Sequence, residues 1–296
     1  MPSADFRISN QMLVTNSLAN LQSNLRRLTD LQDEASSLKR LRKPSDAPAD
    51  VVTAMRLHSD LNRNDQISRN IDDAGAWLGT ADDALTSAVT QLQRVHDLII
   101  QARNSATDSN ARAAIAGEID TIRANLIGVA NTKYAGRAIF GGTATGGVAY
   151  QADGTYVGVS AAVERTIGPG QRVQVNVNGD AVFGPQGSDL FTTLSQISDA
   201  VKNDPAQLDG LSTTFDAATT RLQNQLADVG ARFRRVDSMK TQNSADALTM
   251  KKNLSAVEDA DLAEVMMNLQ SQQVAYQAAL EATSKSILPS LADFLR

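Results

Sequence analysis

The chain has 296 residues, of which 42% are apolar but only 4% aromatic, and its formal net charge at pH 7 is −5. So mild a charge gives no general reason to expect nucleic acid, and the absence of cysteine excludes disulfides, thiolate catalysis and cysteine-held metals. The scarcity of aromatics suits long helices packed through small residues better than a core of large rings. The start, Met1-Pro-Ser-Ala-Asp-Phe6, carries neither a basic segment followed by an apolar run nor a small-residue cleavage site, and no stretch approaches the ~20 apolar residues of a membrane span. Sorting signals alone therefore predict a soluble, cytoplasmic chain, and any route out of the cell has to bypass the cleaved-signal pathway.

Helical periodicity begins almost at once. Val14, Leu18, Leu21, Leu25, Leu28, Gln32 and Ala35 step by four and three, with Leu31 and Leu38 widening the stripe. The run predicts one helix from Asn10 to Lys43, about 50 Å long, stopped by Lys43-Pro-Ser-Asp-Ala-Pro48. There Asp46 is placed to cap the next helix, Pro48 fits its first turn and Asp50 complements its dipole. In the second helix, Val51 to Ser105, Ile71, Ala74, Leu78, Ala81, Leu85, Ala88, Leu92, Val95, Ile99 and Ala102 keep the heptad step without a slip. Alternation of large residues with alanine permits close helix approach. After a turn or cap at Thr107-Asp-Ser109, a third helix from Asn110 to about Tyr134 carries Ile115, Ile119, Ile122, Leu126 and Val129.

Composition changes at Gly136. Gly141-Gly142 and Gly146-Gly147 break any helix, and short β-branched runs follow at 148–150, 156–159, 162–167 and 172–177, with Val182-Phe183 as a further strand candidate. Asp153-Gly154, Gly168-Pro-Gly170 and Asn178-Gly-Asp180 supply hairpin signals between them. Helices return at Leu190–Val201 and, after the cap-and-proline pair Asp204-Pro205, at Leu208, Leu211, Phe215, Ala218, Leu222, Leu226, Val229, Phe233 and Val236 towards Lys251.

The last element is the C-terminal tail. Two capping-box patterns open it, Ser255-Ala-Val-Glu258 and Asp261-Leu-Ala-Glu264. Leu262, Met266, Leu269, Gln273, Tyr276, Leu280, Thr283 and Ile287 then alternate steps of four and three, the a/d seam of a coiled coil, until Pro289 marks the predicted end of the regular helix. Gln273 and Thr283 put polar groups on that seam, where they can set register. A lone helix of this kind leaves its stripe wet and gains most of its stability from a partner. Charge favours the N-terminal helix as that partner: residues 1–43 hold seven Lys/Arg against four Asp/Glu, a net +3, and residues 254–296 hold two against six, a net −4.

The fold class that follows is mainly α with a small β insert, its long antiparallel helices forming a coiled-coil bundle in which the N- and C-terminal helices pair. The predicted parts are terminal coiled-coil helices at 1–45 and 254–296, a helical body at 46–135 and 186–253, and a small antiparallel β insert at 136–185. A purely intramolecular bundle is the alternative to pairing for assembly.

Candidate chemistry is sparse. His58 and His96 lie far apart on one helix with no carboxylate at metal-ligand spacing, so both read as solvated helix histidines. The loop Gly141-Gly-Thr-Ala-Thr-Gly-Gly147 lacks the Gly-Lys-Ser/Thr of a phosphate loop and precedes strands where a helix is required. Asp153, Glu164, Asp180 and Asp189 crowd the insert, but turn chemistry explains those beside glycine. Lys39-Arg-Leu-Arg-Lys43 has no interleaved aromatics and reads as dipole complement or helix-partner contact. No catalytic, cofactor-binding or metal residue emerges.

Arg7-Ile-Ser-Asn-Gln-Met12, Lys43-Pro-Ser-Asp-Ala-Pro48, Ile139-Phe-Gly-Gly142, Asp259-Ala-Asp-Leu-Ala-Glu264 and Gln270-Ser-Gln-Gln-Val-Ala-Tyr-Gln-Ala-Ala-Leu-Glu-Ala-Thr283 resemble the flagellar hook-associated protein 3 family, the hook–filament junction relatives of flagellin. The resemblance covers both terminal thirds and the general layout; the insert matches only as a type. It implies a structural subunit of the bacterial flagellum, extracellular, exported unfolded through the flagellar type III channel without a cleaved signal. It implies as partners hook-associated protein 1, flagellin, further copies in a ring, and an export chaperone on the C-terminal helix, with no cofactor, nucleic acid or membrane. Terminal helices would form the inner tube and the insert would face outward. Carried over, the assembly interface comprises Leu18, Leu21, Leu25, Leu28, Leu262, Met266, Leu269, Tyr276, Leu280 and Ile287. The same helices would serve a flagellin building the long filament. A ligand- or carbohydrate-binding protein using the β insert is the alternative from another class.

Overall fold

The computed structural model of the chain describes residues 4–45, 47–104 and 108–294, with side-chain burial given for residue 12 and, within those ranges, for residues 15–284. In order come α1 (Ala4–Ser37), α2 (Pro48–Ala102), α3 (Ser109–Ala130), β1 (Lys133–Tyr134), β2 (Arg137–Ala138), β3 (Glu164–Gly168), β4 (Gln171–Gln174), α4 (Gly179–Phe183), α5 (Leu190–Asn203), a 3-10 turn (Pro205–Gln207), α6 (Leu208–Glu258) and α7 (Leu262–Phe294). The chain divides into two compact units. One is residues 63–247; the other joins residues 1–62 to residues 248–296, so each boundary falls inside a long helix, α2 or α6.

In the 63–247 unit the heptad run of α2 is buried along its whole length. Ile71, Ala74, Leu78, Ala81, Leu85, Ala88, Leu92, Val95, Ile99 and Ala102 are each at most 2% exposed. Burying one such Leu, Val or Ile is worth about 1.5–3 kcal/mol, and the intervening alanines let neighbouring helices approach. The same cluster takes Ile115, Ile119, Ile122 and Leu126 of α3, and Leu208, Phe215, Ala218, Leu222, Val229 and Val236 of α6. Phe233 departs from the expected stripe and stands 41% exposed. Within the apolar contact, Asn64 and Asn243 are buried and face each other. Asn64 Nδ2 donates to Asn243 Oδ1 at 2.9 Å, and Asn243 Nδ2 returns a bond to Asn64 Oδ1 at 3.3 Å. A buried amide pair of this kind is satisfied in one register only.

Aspartates start the shorter helices, as the sequence predicts at 108 and 204 but not at 189. Asp108 caps α3 through Ala111 N at 2.6 Å, Asp189 caps α5 through Thr192 N at 2.9 Å, and Asp204 caps the 3-10 turn. The proposed Asp46 cap lies outside the described residues.

The segment 136–185 is less regular than its β-branched runs predict. β3 and β4 form the antiparallel hairpin expected around Gly168-Pro-Gly170, with a register shift between Thr166 and Gly168. Runs 148–150 and 156–159 make only isolated bridges, Tyr150 to Tyr156 and Gly142 to Val159. Val182-Phe183 is helical, not a strand, because it lies in α4 with both side chains turned into the core. Tyr150, Tyr156, Phe183 and Phe191 stack edge-to-face or tilted with centroids 5.0–5.4 Å apart. Ile139, Phe140, Ile167, Val173, Val175 and Val177 belong to the same core as the helices. Side-chain burial, more than strand pairing, therefore holds this segment.

In the other unit several boundaries move, and α1 begins at Ala4 where Asn10 was expected and α2 at Pro48 where Val51 was. α1 stops at Ser37, not Lys43: Leu38 takes the left-handed conformation (φ 56°) and its N–H still reaches Glu34 O at 2.9 Å, a C-terminal cap in the form usually given to glycine. α6 runs through Ser255 to Glu258, so the first capping box lies inside a helix's last turn, and only Asp261 caps α7, accepting from Ala263 N at 2.9 Å and Glu264 N at 3.3 Å. α7 continues past Pro289 to Phe294; proline removes one donor from the ladder without ending the helix.

Candidate assembly interface

α1 and α7 pack against each other in antiparallel sense: Lys39 bridges to Asp259 at one end, and further along Gln272 Nε2 donates to the carbonyl and side-chain oxygens of Asn24, both at 3.3 Å. Among the described side chains, the half-buried row of α1 is Ser17, Leu21, Asn24, Leu28, Leu31 and Ala35, with Glu34 half-buried beside it; that of α7 is Leu269, Gln272, Tyr276, Ala279 and Thr283, with Val265 buried. Both sets step by four and three. They are the heptad frame shifted by one residue at every second position from the frame the sequence suggests.

Of the residues expected at the interface, Leu21, Leu28, Leu269 and Tyr276 therefore lie in the α1–α7 seam. Leu18, Leu25, Leu262, Met266 and Leu280 lie beside it and are 43–51% exposed. Gln273 is exposed, and its neighbour Gln272 supplies the polar seam contact in its place. The side chain of Ile287 lies outside the described residues. Met267 and Val274 add to the outward apolar surface of α7. Each terminal helix thus carries two apolar rows, one spent on the intramolecular pair and one facing out.

Where α1 leads into α2, and α6 into α7, a polar cluster ties the chain to itself. Glu258 accepts from Lys39 Nζ at 3.1 Å and contacts His58 Nε2 at 2.6 Å, while its backbone carbonyl accepts from Arg40 N at 2.8 Å. Asp259 holds Lys39 Nζ at 2.6 Å and Ser255 Oγ at 2.5 Å. Arg40 reaches Asp50 and the Val257 carbonyl, and Arg42 reaches Asp33 and Asp30. The basic run makes helix-partner contacts, as one reading proposed, but from beyond the end of α1 and not from its last turn. The carboxylate beside His58 is 200 residues away in sequence, so no local spacing signals it.

Burial alone would raise the Glu258 carboxyl, but hydrogen bonds from Lys39 and His58 outweigh it and hold the group below its ordinary range. The hydrogen bond from Lys39 first, and that from Ser255 second, lower Asp259; Asp259 and Glu258 in turn raise Lys39.

The acids in and just after the 136–185 segment have structural partners. Asp153 accepts from Thr155 N, which lowers its carboxyl; Glu164 pairs with Arg172; Asp180 accepts from Ser160 Oγ at 2.7 Å; Asp189 is the α5 cap. Gly142 has φ 62°, and a Cβ there would meet Val159 O at 1.7 Å, so the loop's glycine serves a close backbone approach. Among the described residues no group of three or more His, Asp or Glu side chains is placed to hold a metal, and no helix is long and apolar enough to cross a membrane.

Long helices over an alanine-rich core, paired chain ends and a second apolar row left outside define the class as a helical-bundle protein with apolar surface exposed on its terminal helices. Residues 8–145 match the bacterial flagellin N-terminal helical region and residues 212–287 the bacterial flagellin C-terminal helical region. Together these take in most of the chain, and the chain belongs to the flagellin family. It is similar to flagellar hook-associated protein 3 of Salmonella typhimurium (24% identity over 92% of this chain and 94% of the relative) and of Escherichia coli K12 (26% over 93% and 95%). The crystal structure of Bacillus cereus FlgL superposes with a TM-score of 0.61 at 27% identity, covering 68% of this chain and 99% of that one.

Proposed function

We propose that this chain is a structural subunit of the bacterial flagellum that joins hook to filament. The observation that carries it is end-to-end similarity to hook-associated protein 3 from two organisms, over more than nine-tenths of both chains, combined with terminal helices that keep an apolar row outside their own seam. A subunit of this kind works outside the cell, in contact with the other axial proteins above and below it, and catalyses nothing. In this reading segments 1–45 and 254–296 form the inner layer, 46–135 and 186–253 the surrounding body, and 136–185 the outward face. Leu18, Leu25, Leu262, Met266 and Leu280 meet neighbouring copies in a ring, alongside the seam residues Leu21, Leu28, Leu269 and Tyr276, with Ile287 further along α7. Before assembly an export chaperone covers the outward row of α7, since an exposed apolar helix face is an aggregation hazard.

A deletion strain tests the reading: it should bear hooks without filaments and release flagellin into the medium, with filaments restored by the intact gene on a plasmid. Filaments that persist in the deletion strain would overturn it. The second reading, a filament subunit, is favoured by both matched regions being those of flagellin itself. In that case the deletion strain secretes no such protein, and a tag on the chain decorates the whole filament instead of a narrow band above the hook.

A further inference from the structure

We propose that the α2–α6 face around Phe233 is a docking groove for a second copy of this chain, which enters it with Leu248, Lys251 and Lys252 of its own α6. The contact rests on the reading of the chain as a flagellar axial subunit, and it adds a second surface, apart from the terminal helices, at which copies meet. Phe233 falls on the apolar period of α6, yet it stands 41% exposed while Val229 and Val236, on either side of it, are buried. It lines both of two adjoining hollows, of about 220 and 450 Å³, so a side chain entering either meets its ring. Gly75 and Gly79 of α2 and Gly230 of α6 border the same hollows. A Cβ at Gly75 would meet only Val236, and one at Gly79 only Phe233, each at 3.7 Å; at Gly230 nothing comes nearer than 3.6 Å. Alanine therefore fits at all three positions, and each glycine weakens its helix relative to alanine. Packing inside the chain gives no reason for them; a neighbour pressed close against the helices does.

Charge selects the occupant. The groove is lined by Asp72, Asp82, Asp83 and Asp237 against two cations, Lys240 and Arg234. Lys240 bridges to Asp72 at 2.9 Å, whereas Asp82 and Asp83 carry no salt bridge among the described residues. A guest that fits presents an apolar knob flanked by basic groups. On α6, Leu248 is 56% exposed, and Lys251 and Lys252 follow it at the third and fourth positions, on the same helix face. Both lysines are exposed, and neither pairs with a carboxylate among the described residues. Groove and knob are different patches, so the contact is head-to-tail: it repeats from copy to copy around a ring and does not close in a pair. Apolar burial of Leu248 against Phe233 holds the contact, and the opposite charges set its direction and register.

Because the chain has no cysteine, F233C/L248C places the only two thiols of the full-length protein on groove and knob. Flagella are isolated from a strain carrying this chain as its sole copy and treated with a mild oxidant. The expected result is a ladder of disulfide-linked multimers on non-reducing electrophoresis, absent from F233C alone and from L248C alone. Monomer only, with the double variant present in the flagella, would overturn the contact, as would multimers from either single variant. Charge exchange gives a second readout that needs no thiol. D83K/D237K, at two exposed positions, should keep the wild-type melting midpoint and shrink the swimming halo towards that of the deletion strain. Adding K251D/K252D to the same chain should restore the halo. A wild-type halo for D83K/D237K, or no restoration by the added pair, would equally sink the proposal. Absence of the unsubstituted chain from isolated flagella is a separate outcome, which removes the axial-subunit reading itself and the contact with it.

Discussion

Single residues carry the two sharpest constraints. At Gly142 the positive φ and the Val159 carbonyl leave no room for a side chain, so Gly142→Ala should cost about 3 kcal/mol from backbone displacement and strain. Urea unfolding followed by circular dichroism reads this directly, and a neutral result would mean the loop reshapes freely. In the other unit, Glu258 and Asp259 have folded values depressed below their ordinary 4.5 and 3.8. Such groups contribute stability above the unfolded values and lose it as pH falls through the folded ones. Thermal melts of the wild type should therefore decline in acid more steeply than those of K39M, which lacks the cation that depresses both groups. Parallel pH profiles would show that Lys39 contributes nothing to the folded chain, as exposed ion pairs often do.

The elements separate two kinds of leucine. Leu85 is fully buried in α2, and Leu85→Ala should cost about 2–5 kcal/mol through lost transfer energy and the cavity left behind. Leu262 stands half-exposed at the start of α7, and Leu262→Ala should leave the monomer within about 0.5 kcal/mol of wild type while impairing incorporation into flagella. Denaturation of the purified variants, with motility complementation beside it, gives both readouts. A large destabilisation by Leu262→Ala would place that row in the core and not on the assembly surface. The paired amides Asn64–Asn243 and Asn24–Gln272 fall on helix contacts of the two units, where an apolar pair would tolerate several registers and an amide pair satisfies one.

For the whole molecule the consequence concerns truncation. Ending the chain after Gln273 removes Tyr276, Ala279 and Thr283 from the α1–α7 seam while leaving residues 63–247 untouched. That truncated chain should keep a cooperative melt with most of its helix and fail to enter flagella. If the melt disappears as well, α7 belongs to the folding core of the protein.

Much of this was legible in the sequence. The heptad run from Ile71 to Ala102 and the aspartate caps at 108 and 204 follow from local rules, because a long apolar period and a capping side chain each act within a few residues. Pairing of the chain ends was foreshadowed by their opposite charge and bare stripes. The frame of the α1–α7 seam was not, since Leu18 and Leu21, or Met266 and Leu269, serve a four–three pattern equally well. Only the neighbour across the seam, with Asn24 opposite Gln272, selects between them. Nor was the polar cluster around Glu258 readable, because Lys39, His58 and Glu258 meet across some 200 residues of chain. In the 136–185 segment, β-branched runs announced strands that burial against helices replaced with loops and α4. Local propensity and period therefore determined the elements of this protein, and tertiary contact alone decided which of two apolar faces each terminal helix keeps for itself, because that choice depends on a partner no short window of sequence contains.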